Sequence, residues 1–282
     1  MYCAYAWLMG EVDAKKMKRR VKLGYEGFWH DYLSRYDELG LKHYIRIAET
    51  LLEGVDVKGK RVLDVGCGTG ILSLLVLSKG ASQVTGIDFS HYMVMRAKDK
   101  AEKFGYNEKQ ADFYEADAEQ LPFKDNSFDC VVSNMMIGLV LDQKKAIDEM
   151  VRVTRPGGNI AVSTHGYQQY WEAVEVISRI IFTRYGLVPY RPEYWPRSEK
   201  ELKQLFSQTS LTDIKMRRVL NKEFFGSGAE AFDFFAAVSS LWWYARFPSY
   251  KWAEYMKEDR KVFERRGIKS YTFDVLFASG SK

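Results

Sequence analysis

VLDVGCGTG, Val62 to Gly70, is the stretch on which the fold turns. A β-branched, apolar run ends without transition in three glycines that alternate with Cys67 and Thr69. Glycine tolerates positive φ and lets another molecule approach the backbone, at an entropic cost to the chain. A strand followed at once by such a turn predicts a ligand lying against main chain. The flanking sequence has to say which ligand.

Outward from the turn, ILSLLVLSKG reads as a helix closing at Gly80 and QVTGID, Gln83 to Asp88, as a second strand. SHYMVMRAKDKAEKFG is a helix closing at Gly105, and ADFYEAD, Ala111 to Asp117, is a third strand. SFDCVVSNMM, Ser127 to Met136, is a fourth, LDQKKAIDEMVRV a helix halted before Pro156, and GNIAVSTHG a fifth strand. Ahead of the turn, Leu41, Ile45, Ala48, Leu51 and Leu52 recur at helical spacing up to Gly54. Strands alternating with helices of about 10–15 residues predict an α/β, doubly wound parallel sheet covered on both faces.

After Gly166 the rhythm changes. Tyr167 to Trp195 reads as a loop-bearing insertion, and Ser198 with Glu201 three residues on has capping-box spacing before a helix. DIKMRRVL and YTFDVLFAS are late strands, separated by an aromatic-rich stretch from Glu223 to Lys269. The expected organisation is an N-terminal segment over 1–40, a core over 41–222 and 270–282, and cap insertions over 166–197 and 223–269.

The chain has 282 residues, 46% of them apolar and 28% charged, enough for a globular domain with a full core. Net charge is +5, but Lys and Arg are interspersed with Asp and Glu, so no nucleic-acid partner is expected. The cluster KKMKRR, Lys15 to Arg20, reads either as a solvated helix face, the commoner case, or as an arm for an anionic partner. Three cysteines give no disulfide framework and no metal cluster, and a reducing cytoplasm is the expected compartment. No apolar run approaches the roughly 18 residues that span a bilayer, so no transmembrane segment is expected. MYCAYAWLMG lacks the basic lead of a signal peptide.

The glycines are spaced G-x-G-x-G, with Asp64 ahead of them and Ile71 where a dinucleotide fingerprint requires its third glycine. Nicotinamide chemistry is therefore disfavoured. In doubly wound sheets ligands bind beyond the carboxyl ends of the strands. Asp88 ends the second strand about 20 residues after the glycines, where a carboxylate can accept both hydroxyls of a ribose. Asp117 ends the third, where it could meet the amino group of an adenine. Either Asp alone is more often a helix cap or turn former. Their appearance in chain order at successive strand ends favours the nucleoside.

At these residues the sequence resembles a known family. VLDVGCGTG, VTGIDFS, EADAEQLPFKDNSFDCVVS and EMVRVTRPGG are similar to successive motifs of class I S-adenosylmethionine-dependent methyltransferases. Within that class the chain is most similar to the small-molecule branch that includes the ubiquinone and menaquinone methyltransferases. The likeness runs from about Phe28 to Val219 and again over Tyr271 to Ser279. It implies a seven-stranded, mostly parallel sheet whose last strand is antiparallel, here with an aromatic-rich helical cap. It implies S-adenosylmethionine as cofactor, with Asp64 holding the methionyl amino end and Gly66 and Gly68 admitting the methionine and ribose portions. Asp88 would bind the ribose, Asp117 and the Ala118 N–H would read the adenine, and the main chain at Asn134 would meet the methionyl ammonium. Phe89 would pack on the adenine or, equally, serve as a core aromatic. Tyr36, in FWHDYLSRYDELG, would lie over the cofactor.

Methyl transfer is an in-line displacement, so positioning and exclusion of water can supply much of the rate. A thiolate, amine or activated carbon needs little more, whereas a hydroxyl of high pKa needs a base. Of four histidines, His165 at the end of strand five is the candidate base, with His91 and His30 behind it and His43 structural. A hydrogen-bonded or exposed imidazole is the plainer reading even of His165. Phe232, Phe235 and Trp242 read first as a core stripe. The ring density from Phe224 to Tyr255 also suits a dry pocket for an apolar or aromatic small-molecule acceptor, or a methylated ammonium held by cation–π contact. An amine-methylating enzyme and a non-catalytic S-adenosylmethionine-binding module are the alternatives. SNMMIG after strand four lacks the Pro-Pro-aromatic run of enzymes acting on exocyclic base nitrogens.

Overall fold

The computed structural model describes residues 29–185, 196–239 and 251–282. Helix α1 spans Trp29–Leu51, and β1 (Arg61–Val65) leads through the glycine turn into α2 (Ile71–Ser78). The chain continues through β2 (Gln83–Asp88), α3 (His91–Lys103), β3 (Ala111–Glu115), β4 (Phe128–Asn134), α4 (Gln143–Val153) and β5 (Thr154–His165). Then follow α5 (Trp171–Tyr185), α6 (Glu199–Ser207), β6 (Thr212–Phe224), α7 (Gly228–Ser239), α8 (Trp252–Arg266) and β7 (Ser270–Ser281).

Seven strands form one sheet in the order β3-β2-β1-β4-β5-β7-β6. β1 pairs in parallel with β2 and β4, β2 with β3, and β4 with β5, while β7 runs antiparallel to β5. The reversal of winding falls between β1 and β4, which sets the carboxyl ends of β1, β2 and β4 side by side. β1, β2 and β4 are buried almost without interruption, as strands covered on both faces must be. Local chemistry fixes the helix starts: Ser90, Asp142 and Ser198 each accept an N–H of the first turn of α3, α4 and α6.

Two features depart from expectation. α1 begins at Trp29, twelve residues ahead of Leu41, where the helix is expected to start. The aromatic stretch after Gly166 holds the fifteen-residue helix α5 rather than loop alone. Among the described residues no helix is long and apolar enough to cross a membrane.

The described chain divides into two compact units, a larger one over 41–167, 196–219 and 275–282 and a smaller one over 29–40, 168–185, 220–239 and 251–274. The larger has a core of aliphatic side chains from β1, β4, β5, α4 and α6. The smaller has its own aromatic core. Tyr170, Phe232, Phe235, Phe263 and Tyr271 are all but fully buried there, and Tyr170 meets Phe273 edge-on at 5.3 Å. Tyr271 Oη donates to the Ala231 carbonyl at 2.6 Å, and Glu172 accepts from both the N–H and the hydroxyl of Thr272. Phe232 and Phe235 are thus core residues of this unit. Trp242, Lys15 to Arg20 and the side chains of His30 and Tyr36 lie outside the described residues, although position 36 falls within α1.

Candidate active site

The turn after β1 is built by left-handed glycines. Gly66, Gly68 and Gly70 have φ of 76°, 53° and 83°, a region costly to residues that carry a Cβ. The reasons for glycine differ at the three positions. A Cβ on Gly66 would lie 2.6 Å from Met136 Cβ, and one on Gly70 3.2 Å from Ala97 Cβ, so these two glycines admit close packing within the protein. A Cβ on Gly68 would meet nothing within 4 Å. Gly68 is where the backbone stands open. Lys100 Nζ donates to Thr69 Oγ1 at 3.0 Å and ties the turn to α3.

Two carboxylates border the turn. Asp88 Oδ2 accepts the Gly68 N–H and Oδ1 the Ser90 N–H, both at 2.9 Å. Burial pushes the Asp88 carboxyl above its ordinary pKa, against the pull of these N–H groups. Asp64 is fully buried at the end of β1. Its Oδ2 accepts the Ser73 hydroxyl at 2.6 Å, whereas its Oδ1 has no hydrogen-bond partner. Burial raises its pKa to about 7, the Ser73 bond opposing and the nearby Asp88 charge adding. A buried carboxylate oxygen without a partner costs roughly 1–3 kcal/mol. A bound ammonium or N–H donor would recover that cost, so the residues present fit a cationic ligand group at Asp64 and a neutral donor at Asp88.

The remaining strand ends complete the rim. Asp117 Oδ1 accepts the Glu119 N–H at 2.9 Å, which folds the chain after β3 into a turn that leaves Ala118 buried. Phe89, next to Asp88, is partly exposed. At the end of β4, Asn134 Oδ1 accepts the Ser163 hydroxyl at 2.6 Å, and Ser163 Oγ in turn accepts the Met135 N–H at 3.0 Å. Met135 has φ 62°, so the chain leaves β4 through a sharp reversal pinned by β5. Asp64, Gly68, Asp88 and Asn134 therefore stand together at the carboxyl edge of β1, β2 and β4, with Asp117 beyond β3 in the same larger unit.

His165 ends β5 and is buried. His91 Nδ1 lies 3.4 Å from Glu115 Oε2 at the surface. His43 is driven down to about 3 by burial and Arg46, so it is a neutral core imidazole. Cys67 and Cys130 are buried free thiols with raised pKa values, which makes neither a nucleophile. Sequence reasoning missed Ser73 and Ser163, which orient Asp64 and Asn134. Ser73 had a signal, as the one polar residue inside the apolar ILSLLVL run.

A doubly wound sheet with an antiparallel seventh strand, an open glycine turn and acids at the ends of β1, β2 and beyond β3 is the fold of class I S-adenosylmethionine-dependent methyltransferases. Residues 63–162 match the family described as methyltransferase domain. Over 111 residues the chain is 42% identical to a phosphatidylethanolamine N-methyltransferase from Cereibacter sphaeroides, a match covering 39% of this chain and 53% of that one. It is 28% identical over 227 residues to a demethylmenaquinone methyltransferase from Oceanobacillus iheyensis, covering 74% and 93%. The crystal structure of the YcgJ protein from Bacillus subtilis superposes with a TM-score of 0.58 at 20% identity, covering 84% and 98%. The matches span about half the length of the first curated relatives.

Proposed function

We propose that the protein transfers a methyl group from S-adenosylmethionine to a small apolar or aromatic molecule. The observation that carries the cofactor reading is the buried Asp64 Oδ1 without a partner, one turn of chain away from the open Gly68. Asp64 would hold the methionyl ammonium, Gly68 would let the nucleoside lie against main chain, and Asp88 would accept the ribose hydroxyls. Asp117 and the Ala118 N–H would read the adenine edge, with Phe89 against its face. The Asn134 main chain, braced by Ser163, would bound the methionyl end. The bound cofactor supplies the electrophilic methyl, and the protein's work is alignment and exclusion of water. For a hydroxyl acceptor, His165 at the end of β5 would take the proton.

The acceptor class is supported by the demethylmenaquinone methyltransferase match, which spans nearly that whole relative. A second reading, methylation of an amine, is favoured by the higher identity to the phosphatidylethanolamine enzyme over a shorter stretch. Screening quinols, phenols, amines and thiols for S-adenosylhomocysteine release tests both. Turnover with a quinol or phenol supports the first, and turnover with amines alone replaces it by the second. Binding of S-adenosylmethionine without product from any class would make the protein a cofactor-binding module.

A further inference from the structure

The segment between β3 and β4 is held from one side by α4. Arg152, in the last turn of α4, sends Nη2 to the Leu121 carbonyl at 3.0 Å and Nη1 to the Phe123 carbonyl at 2.7 Å. Glu149, one turn earlier, accepts the Leu121 N–H on Oε2 at 2.7 Å and locks Arg152 through Nε and Nη2 at 2.7 and 2.8 Å. Pairing with Arg152 holds the Glu149 carboxyl below its usual range, so it stays ionised in this role. A second tie lies at the other end of the same helix, where buried Glu119 accepts the N–H groups of Leu141 and Asp142 on Oε1 at 3.1 and 3.3 Å. A planar guanidinium is suited to this work, since its fixed fork holds two carbonyls and the carboxylates of Glu149 and Asp125 at once.

From this geometry we infer that Arg152, aligned by Glu149, is a positioning residue that sets nucleobase specificity, although it touches no ligand. The inference rests on the adenine reading of Asp117 and Ala118. Both residues sit immediately ahead of the clamped backbone, and the Asp117 carbonyl and carboxylate bond Gln120 N–H and Glu119 N–H within the same turn. Adenine presents an amino donor and a ring-nitrogen acceptor to a carboxylate and an N–H. Hypoxanthine presents an oxygen acceptor and a ring N–H at the same two places, so both contacts become repulsive. The discrimination depends on holding the carboxylate and the N–H at fixed separation, and α4 provides the fixed support.

The test compares dissociation constants for S-adenosylhomocysteine and S-inosylhomocysteine by calorimetry. Wild-type protein should prefer the adenosyl ligand at least tenfold. Arg152→Met should narrow that preference to threefold or less. Arg152→Lys, which keeps a cation beside Glu149 without the fork, should fall between. Val57→Ala, a core truncation ahead of β1 at buried Val57, supplies a destabilised control and should keep the wild-type ratio. Should Arg152→Met fail to fold, the Lys variant carries the reading. A wild-type preference retained in Arg152→Met, or in Arg152→Lys where the Met variant does not fold, overturns the inference alone. A wild-type protein that does not discriminate removes the adenine assignment and the inference with it.

Discussion

The Gly68 N–H donates to Asp88 Oδ2 at 2.9 Å, so the open tip of the first turn and the acid ending the second strand form one hydrogen-bonded unit. Ser90, which caps α3, donates to the other oxygen of the same carboxylate. A ligand gripping Asp88 is therefore held by a group already oriented from two sides.

Asp88→Ala should weaken S-adenosylhomocysteine binding by at least tenfold. It would remove the two proposed ribose bonds, each worth roughly 1.5–3 kcal/mol when charge-assisted, and it releases the Gly68 and Ser90 N–H groups. Calorimetry on the folded variant checks this, and unchanged affinity would withdraw the ribose assignment.

The two glycines should separate binding from folding. Gly68→Val places its side chain in open space at φ 53°, so the fold should survive a backbone strain of about 1–2 kcal/mol while ligand binding is lost. Gly66→Ala drives a Cβ into Met136 and should lower the melting temperature before it affects anything else. Thermal unfolding and titration of both variants give the comparison, and the reverse pattern would misplace the ligand face.

Asp64 gives the free protein a pH signature. Its carboxyl is raised from the ordinary 3.8 to about 7 in the folded state, so the folded state binds the proton more tightly than the unfolded one. The associated stability is fully present below about pH 4 and is lost as pH rises through about 7. Asp64→Asn should flatten that slope and stabilise the unliganded protein at pH 8, yet weaken the cofactor. In the wild type, cofactor affinity should climb with pH and level off above about 7. A slope identical in the Asn variant would show that another group is responsible.

His165→Ala tests for a base. If the acceptor is a hydroxyl, the acidic limb of the pH–rate profile should disappear together with most of kcat, commonly 100-fold or more for a general base. A profile of unchanged shape makes His165 a bystander.

Much of the larger unit is legible in the sequence because its signals are local. The β1 turn, the strand-ending acids and the Ser198 cap each lie within a few residues of what they determine. The start of α1 is legible too, ahead of the Leu41 at which the helix is expected to begin: Trp29, Tyr32, Leu33, Tyr36 and Leu39 already recur at helical spacing. Helix α5 was obscured by Pro and aromatic residues just beyond it. The Arg152 fork was also hidden, since its partners Leu121 and Phe123 lie across a strand and a helix, and no local periodicity connects them. Gly66 and Gly68 look identical in sequence. Only Met136, arriving from β4, distinguishes them.

The place of β7 has a kinetic consequence. β6 joins the sheet only through β7, which lies between it and β5, so β6 emerges from the ribosome long before the strand that must receive it. Until β7 arrives, both β5 and β6 expose unsatisfied ladder edges, and the sheet can close only by a contact of large sequence separation, which is slow. Insertion of β7 is thus the expected late event in refolding, and the interval before it is when the nascent chain is most exposed to aggregation.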